Sequence, residues 1–161
     1  MPIAMLVCVA LVLGTILIHY EVLRLASEHV HDLPIAPRLR IIPVVIAAFI
    51  GHTLEVWLYG LAYWALTAVS TLGTIAGTGT LGVEDFVYFS AVTYTSLGFG
   101  DLVPTGHLRL VAGVEGLNGL ILIGWSASFT YLAMERYWPL HRKTTRKRHA
   151  RPPVKSAAEL H

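Results

Sequence analysis

Thr93-Tyr94-Thr95-Ser96-Leu97-Gly98-Phe99-Gly100-Asp101-Leu102-Val103-Pro104 is the stretch on which the reading of this 161-residue chain turns. It is small, polar and glycine-bearing, and it lies between two long apolar runs. Upstream is Ile41–Val69, 29 residues whose one charge is Glu55; downstream is Leu110–Met134, 25 residues whose one charge is Glu115. About 20 apolar residues cross a ~30 Å hydrocarbon core, so each run is long enough to span a bilayer. The first is ~43 Å long as a helix and must tilt or protrude. Trp57, Tyr63, Trp64, Tyr131, Tyr137 and Trp138 fall toward the run ends, as interfacial anchors do.

The composition agrees. Hydrophobic residues make up 55% of the chain and charged residues 14%, and the mean hydropathy is +0.61. A soluble domain of this size has no interior large enough for that much apolar surface. The class is therefore integral membrane, and catalysis on a soluble charged substrate is disfavoured. The single cysteine, Cys8, lies in an apolar run and defines neither a disulfide framework nor a zinc site.

Met1–Tyr20 is a third apolar run, free of charge apart from His19 when protonated. It lacks the basic start of a signal peptide and is read as a retained helix. Orientation follows from Lys and Arg. The first loop holds Arg24, Arg38 and Arg40, eight of the 12 basic residues lie from Arg136 onward, and Ser70–Gly82 has none. The expected topology is multi-pass in the cell (plasma or inner) membrane, N-terminus outside and C-terminus cytoplasmic.

The segment between the second and third runs opens with a Gly/Thr-rich loop. A stretch over 84–95 follows, helix-compatible but too short to span. Glu84 and Asp85 stand at its positive end, but no side-chain cap is evident. A short hydrophobic helix between two spans reads as re-entrant. The chain thus divides into an N-terminal transmembrane helix 1–24, a cytoplasmic linker 25–40, a unit 41–135, and a basic tail 136–161 read as mostly disordered. The unit comprises an outer helix 41–69, an extracellular loop 70–83, a short helix 84–95, a glycine-bearing loop 96–101 and an inner helix 108–135.

Thr93–Pro104 resembles the pore signature of potassium channels, Thr-x-Thr-Thr-Val-Gly-Tyr-Gly-Asp with a proline three residues on. The resemblance covers about Ile41–Glu135, and Arg109-Leu110-Val111-Ala112 looks like the inner-helix start of simple bacterial channels. Ser96, Leu97 and Phe99 depart from it, standing for threonine, valine and tyrosine; Phe99 lacks a hydroxyl that braces the filter. The resemblance implies an all-α membrane protein of three transmembrane helices plus a re-entrant pore helix and selectivity-filter loop, assembled as a homotetramer. It implies that permeant K+ ions are held by the carbonyls of Ser96, Leu97, Gly98 and Phe99 and by the Ser96 hydroxyl. Thr95, Gly100, Asp101 and Tyr88 are implied as filter support. The chemistry fits: a cation shedding water needs closely spaced neutral oxygens, inward carbonyls need an alternating backbone hand that Gly98 and Gly100 would permit, and a helix carbonyl end favours a cation.

Aligned in this way, the inner helix presents Leu120, Ile123, Ala127 and Tyr131 to the pore, on one face. Gly119 falls at a gating hinge or at a site of close helix packing. Glu115 and Asn118 turn away from the pore. Depth counted from the run edges puts His52, Glu55, Glu115 and Asn118 at one level, ~18–22 Å from the inner edge. They are expected to cluster behind the filter, as a hydrogen-bond network, a proton sensor or a metal site. His19 is expected near the inner edge, snorkelling alone.

No span carries arginines at every third position, so there is no voltage sensor, and no nucleophile motif marks an enzyme. No organic cofactor and no nucleic-acid partner are expected. The basic tail determines topology or meets anionic lipid headgroups. The expected activity is potassium conduction by a prokaryotic-type channel; the alternatives are a weakly selective monovalent cation channel and a non-conducting membrane subunit of a larger complex.

Overall fold

The computed structural model describes residues 1–68 and 72–137. The tail from Arg142 and the proposed anchor Trp138 lie outside the described residues. The chain is mostly helical: α1 (Pro2–Val30), a 3-10 turn over Pro37–Arg40, α2 (Ile41–Thr67), β1 (Ile75–Ala76), α3 (Val83–Tyr94), β2 (Val103–Pro104) and α4 (Leu108–Tyr137). Three helices are long and apolar enough to cross a membrane, Pro2–Val30, Pro37–Thr67 and Leu108–Tyr137.

Helix α1 is longer than its apolar run. The sequence reading ended it at residue 24, where charges begin, yet it continues to Val30. Arg24 pairs with Glu21 at 2.7 Å and Glu28 at 3.4 Å along the helix's own exposed face, so these charges are solvated without breaking the helix. Its buried face is one stripe through Ala4, Cys8, Leu11, Thr15, His19 and Leu23, the spacing of a packed helical seam. Helices α1 and α4 run parallel. The Met1 amino nitrogen lies 3.4 Å from His107 Nε2 at one end, and Tyr137 Oη lies 3.1 Å from His31 Nδ1 at the other.

The short helix α3 is capped, contrary to the sequence reading. Gly82 N–H donates to Asp85 Oδ2 at 2.7 Å, satisfying one of the free donors at a helix start. Two glycines let its neighbours approach. A Cβ on Gly60 of α2 would stand 2.9 Å from Val87 Cα, and one on Gly119 of α4 would strike the Tyr94 carbonyl oxygen. At Gly119 the structure thus displays close packing within an unbroken helix. The loop after α2 is tied down by pairing that the sequence reading lacked: Ile75 opposes Pro104 and Ala76 opposes Val103. Thr105 N–H to Thr74 O and His107 N–H to Leu72 O, both 2.8 Å, extend it.

Tyr63 is a second correction. It was expected at the interface, but it is wholly buried, with its ring edge-on to Phe89 at 5.0 Å between centroids. Gly119→Ala is expected to lower the thermal midpoint of the detergent-solubilised protein, at an overpacking cost of about 1–3 kcal/mol. Gly124→Ala, whose Cβ meets open space, is expected to leave the circular-dichroism midpoint unchanged or slightly raised.

Candidate functional site

The site is built on the C-terminal end of α3. Thr95 N–H donates to Ala91 O, Ser96 N–H to Thr93 O at 2.9 Å and Leu97 N–H to Val92 O at 3.0 Å. The last two bonds, 5→2 and 6→1, close a Schellman cap in which the residue past the helix turns left-handed. That residue is Ser96, at φ +58°, where glycine is usual because a Cβ is strained there. Gly98 is the other left-handed residue of the segment, at φ +105°. The sequence reading gave the permissive backbone to Gly98 and Gly100; the structure assigns it to Ser96 and Gly98.

Thr95–Asp101 is exposed throughout, with Leu97 at 80%. Phe99 stacks on Phe89 at 5.5 Å with the rings 9° from parallel. A groove of about 360 Å3 lies between this segment and α4, lined by Ser96, Gly98, Phe99, Gly113, Gly116 and Leu120 among others. Leu120, Ile123, Ala127 and Tyr131 are all exposed on α4. Thr95 Oγ1 bonds back to Ala91 O at 2.7 Å. Tyr88 is half exposed, and neither its hydroxyl nor the Asp101 carboxylate bonds to another side chain among the described residues.

The four residues expected in one polar cluster separate. Glu55 Oε1 lies 2.8 Å from His19 Nδ1. Its Oε2 lies 3.2 Å from His52 Nδ1 and accepts from the Tyr94 hydroxyl. Glu115 has other partners: Tyr63 Oη donates to its Oε2 at 2.5 Å, and Ser90 Oγ lies 2.5 Å from its Oε1. Asn118 Nδ2 donates to Thr15 Oγ1 at 2.8 Å and to Tyr59 Oη at 3.4 Å. So His52 and Glu55 meet, while Glu115 and Asn118 each go elsewhere.

The depth count failed because it took the third span as ~30 Å tall, whereas α4 has 30 residues and rises ~45 Å. His19 is a further correction. It does not snorkel: it is wholly buried, and its Nε2 lies 3.2 Å from Ser126 Oγ. Ser126 stands 11 residues beyond Glu115 on α4, ~16 Å along the axis. Sequence reasoning also missed Ser90, Tyr94 and Thr15. The available signal was polar residues recurring on otherwise apolar helix faces, Thr15 and His19 one turn apart on α1, and Ser90 and Tyr94 likewise on α3.

Both carboxylates therefore grip α3, Glu55 from α2 through Tyr94 and Glu115 from α4 through Ser90. The class defined by three apolar helices and this short helix held between them is a membrane-protein architecture. Residues 75–136 match the ion channel family. The chain is also similar to two-pore potassium channel 1 of Arabidopsis thaliana, 45% identical over 51 residues, 31% of this chain and 14% of that protein. Both matches are to channels and neither is to an enzyme. No solved structure matches. Tyr63→Phe removes a donor from the buried Glu115 and is expected to cost about 1–3 kcal/mol, read as a lower chemical-denaturation midpoint; Ser90→Ala is expected to act in the same direction.

Proposed function

We propose that the chain assembles as a homotetramer around a central axis and conducts K+ selectively. The carbonyls of Ser96, Leu97, Gly98 and Phe99, with the Ser96 hydroxyl, replace water around the dehydrated ion. Thr95, Gly100, Asp101 and Tyr88 support that filter, and α3 is its re-entrant pore helix. The observation that carries this reading is the Thr95–Asp101 segment, exposed along its whole length beyond the buried C-terminal end of α3. Among the described residues, this neutral strand of carbonyls, held on a buried helix end, has no hydrogen-bond donor of its own chain. One copy supplies one side of an ion cage, and rotational symmetry supplies the others.

Several features support the same arrangement. The match to the ion channel family includes this segment. Helix α3 directs its carbonyl end, where cations are favoured, toward the exposed strand. Leu120, Ile123, Ala127 and Tyr131 are exposed on α4 and would line an apolar passage below the filter. Gly119, packed on Tyr94, would transmit tilting of α4 to the filter base. Arg24, Arg38, Arg40 and Arg136 gather at the end opposite the filter. By the positive-inside tendency that end is cytoplasmic in the cell membrane, leaving the N-terminus and the filter mouth outside. Basic residues on that side would meet anionic lipid headgroups.

The test is ion flux in liposomes holding the purified chain, with K+, Rb+, Na+ and Li+ gradients compared and native mass measured in parallel. Flux of K+ and Rb+ alone, from a tetramer, is the expected result. Equal flux of all four would replace selectivity with general monovalent conduction. An intact assembly without flux under any gradient would favour a non-conducting subunit. Gly98→Ala, which forces a Cβ into φ +105°, is expected to abolish K+ flux while the assembly mass stays unchanged.

A further inference from the structure

One polar constellation is left without a task by conduction. His19 from α1 and His52 and Glu55 from α2 bring three donor atoms to within 4.8 Å of one another. His19 and Glu55 are fully buried and the His52 side chain is 22% exposed. Two imidazoles and a carboxylate amount to far more than a lone polar residue requires inside a membrane, where ionisable groups are costly and mark function.

We propose that His19 Nδ1, His52 Nδ1 and the Glu55 carboxylate form an intramembrane site for a divalent transition metal, zinc(II) being the ion that their donor set fits. Two histidines and one carboxylate are a known zinc combination, with ligand distances of about 2.0–2.2 Å. Tetrahedral ligands at that radius stand roughly 3.3 Å apart. The separations of 2.8 Å from His19 Nδ1 to Glu55 Oε1 and 3.2 Å from His52 Nδ1 to Glu55 Oε2 lie close to that spacing, and with all donor atoms within 4.8 Å side-chain adjustment completes the site. Carboxylate, imidazole and hydroxyl donors without thiolate also fit zinc better than softer ions.

The surroundings are those a metal site needs. The second nitrogen of His19 lies 3.2 Å from Ser126 Oγ. With a metal on Nδ1, that oxygen can accept the Nε2–H, the outer-shell arrangement that fixes metal-bound imidazoles. Tyr94 Oη, 2.8 Å from His52 Nδ1, donates to Glu55 Oε2 and lies beside the proposed ion. His52 and Ser126 border a cavity of about 470 Å3 between α2 and α4, which leaves the His52 side of the site open. Binding would release the protons now shared in the Glu55 bonds to solvent, so affinity falls as pH falls. The metal would join α1 to α2 beside Tyr94, the residue that closes α3.

The site is tested by zinc titration of the full-length protein in detergent against a chromophoric chelator, and by cobalt(II) substitution. One zinc per chain is expected, together with the visible absorption of a tetrahedral cobalt site. His52→Ala, at the most exposed of the three ligands, is expected to remove the cobalt spectrum and to weaken zinc at least tenfold. Ser126→Ala is expected to weaken zinc by about tenfold through the outer shell, and a His29/His31/His107 triple alanine variant is expected to bind as the parent does. Absence of stoichiometric zinc from the parent protein would overturn the proposal. So would binding that is unchanged in His52→Ala, which would assign the ion to histidines elsewhere. Neither readout depends on conduction, so failure here leaves the channel reading standing, and the reverse.

Discussion

The structure depends on how the short helix α3 is held between the long apolar helices α2 and α4. Helix α3 has 12 residues, ~18 Å of rise, and it carries polar groups at Ser90, Thr93 and Tyr94. Two buried carboxylates take up two of these hydroxyls, Glu115 at Ser90 and Glu55 at Tyr94. A carboxylate in hydrocarbon is unfavourable unless its oxygens are satisfied, and then it binds its donors strongly. Here every carboxylate oxygen has a partner. The same bonds that make the two glutamates tolerable therefore fix α3 in depth and rotation.

Glycine completes the grip. Gly60 and Gly119 remove side chains where α2 and α4 meet the α3 backbone. Van der Waals contact then acts where a hydrophobic driving force between helices is absent. With α3 fixed, its Schellman cap fixes Ser96, and Ser96 starts the exposed strand. The chain from carboxylate to strand passes through only a few residues: Glu55, Tyr94, Ser96. Helix α1 braces this assembly rather than standing apart from it, because Thr15 reaches Asn118 and His19 reaches both Glu55 and Ser126.

Much of this was legible in the sequence because it rests on coarse physical signals. The apolar runs of Ile41–Val69 and Leu110–Met134 locate the spans, and Thr93–Pro104 stands out by its glycines and small polar residues. What was not legible depends on distances between helices. Glu55 and Glu115 look equivalent in a count from the run edges, since that count fits both spans into a ~30 Å core. Helix α4 rises ~45 Å, and that separates them. His19 looks like the end of a span because Glu21 and Arg24 follow it, but surface ion pairs carry α1 ten residues further and leave His19 deep inside. Tyr63 looks like an interfacial anchor because it falls toward the end of the Ile41–Val69 run, yet it is buried against Phe89. The left-handed turn at Ser96 was hidden by residue type, since serine gives no warning of a conformation that glycine normally supplies.

The central claim, that paired carboxylates fix α3 between α2 and α4, is tested most directly by hydrogen–deuterium exchange on the parent protein and on a Glu55→Ala/Glu115→Ala double variant. The account predicts that α3 amides in the parent exchange as slowly as those of α2 and α4. In the double variant, protection should be lost over Val83–Tyr94 first, while the long helices remain protected. Exchange of α3 in the parent at the rate of an exposed loop, or unchanged α3 protection in the double variant, would contradict it.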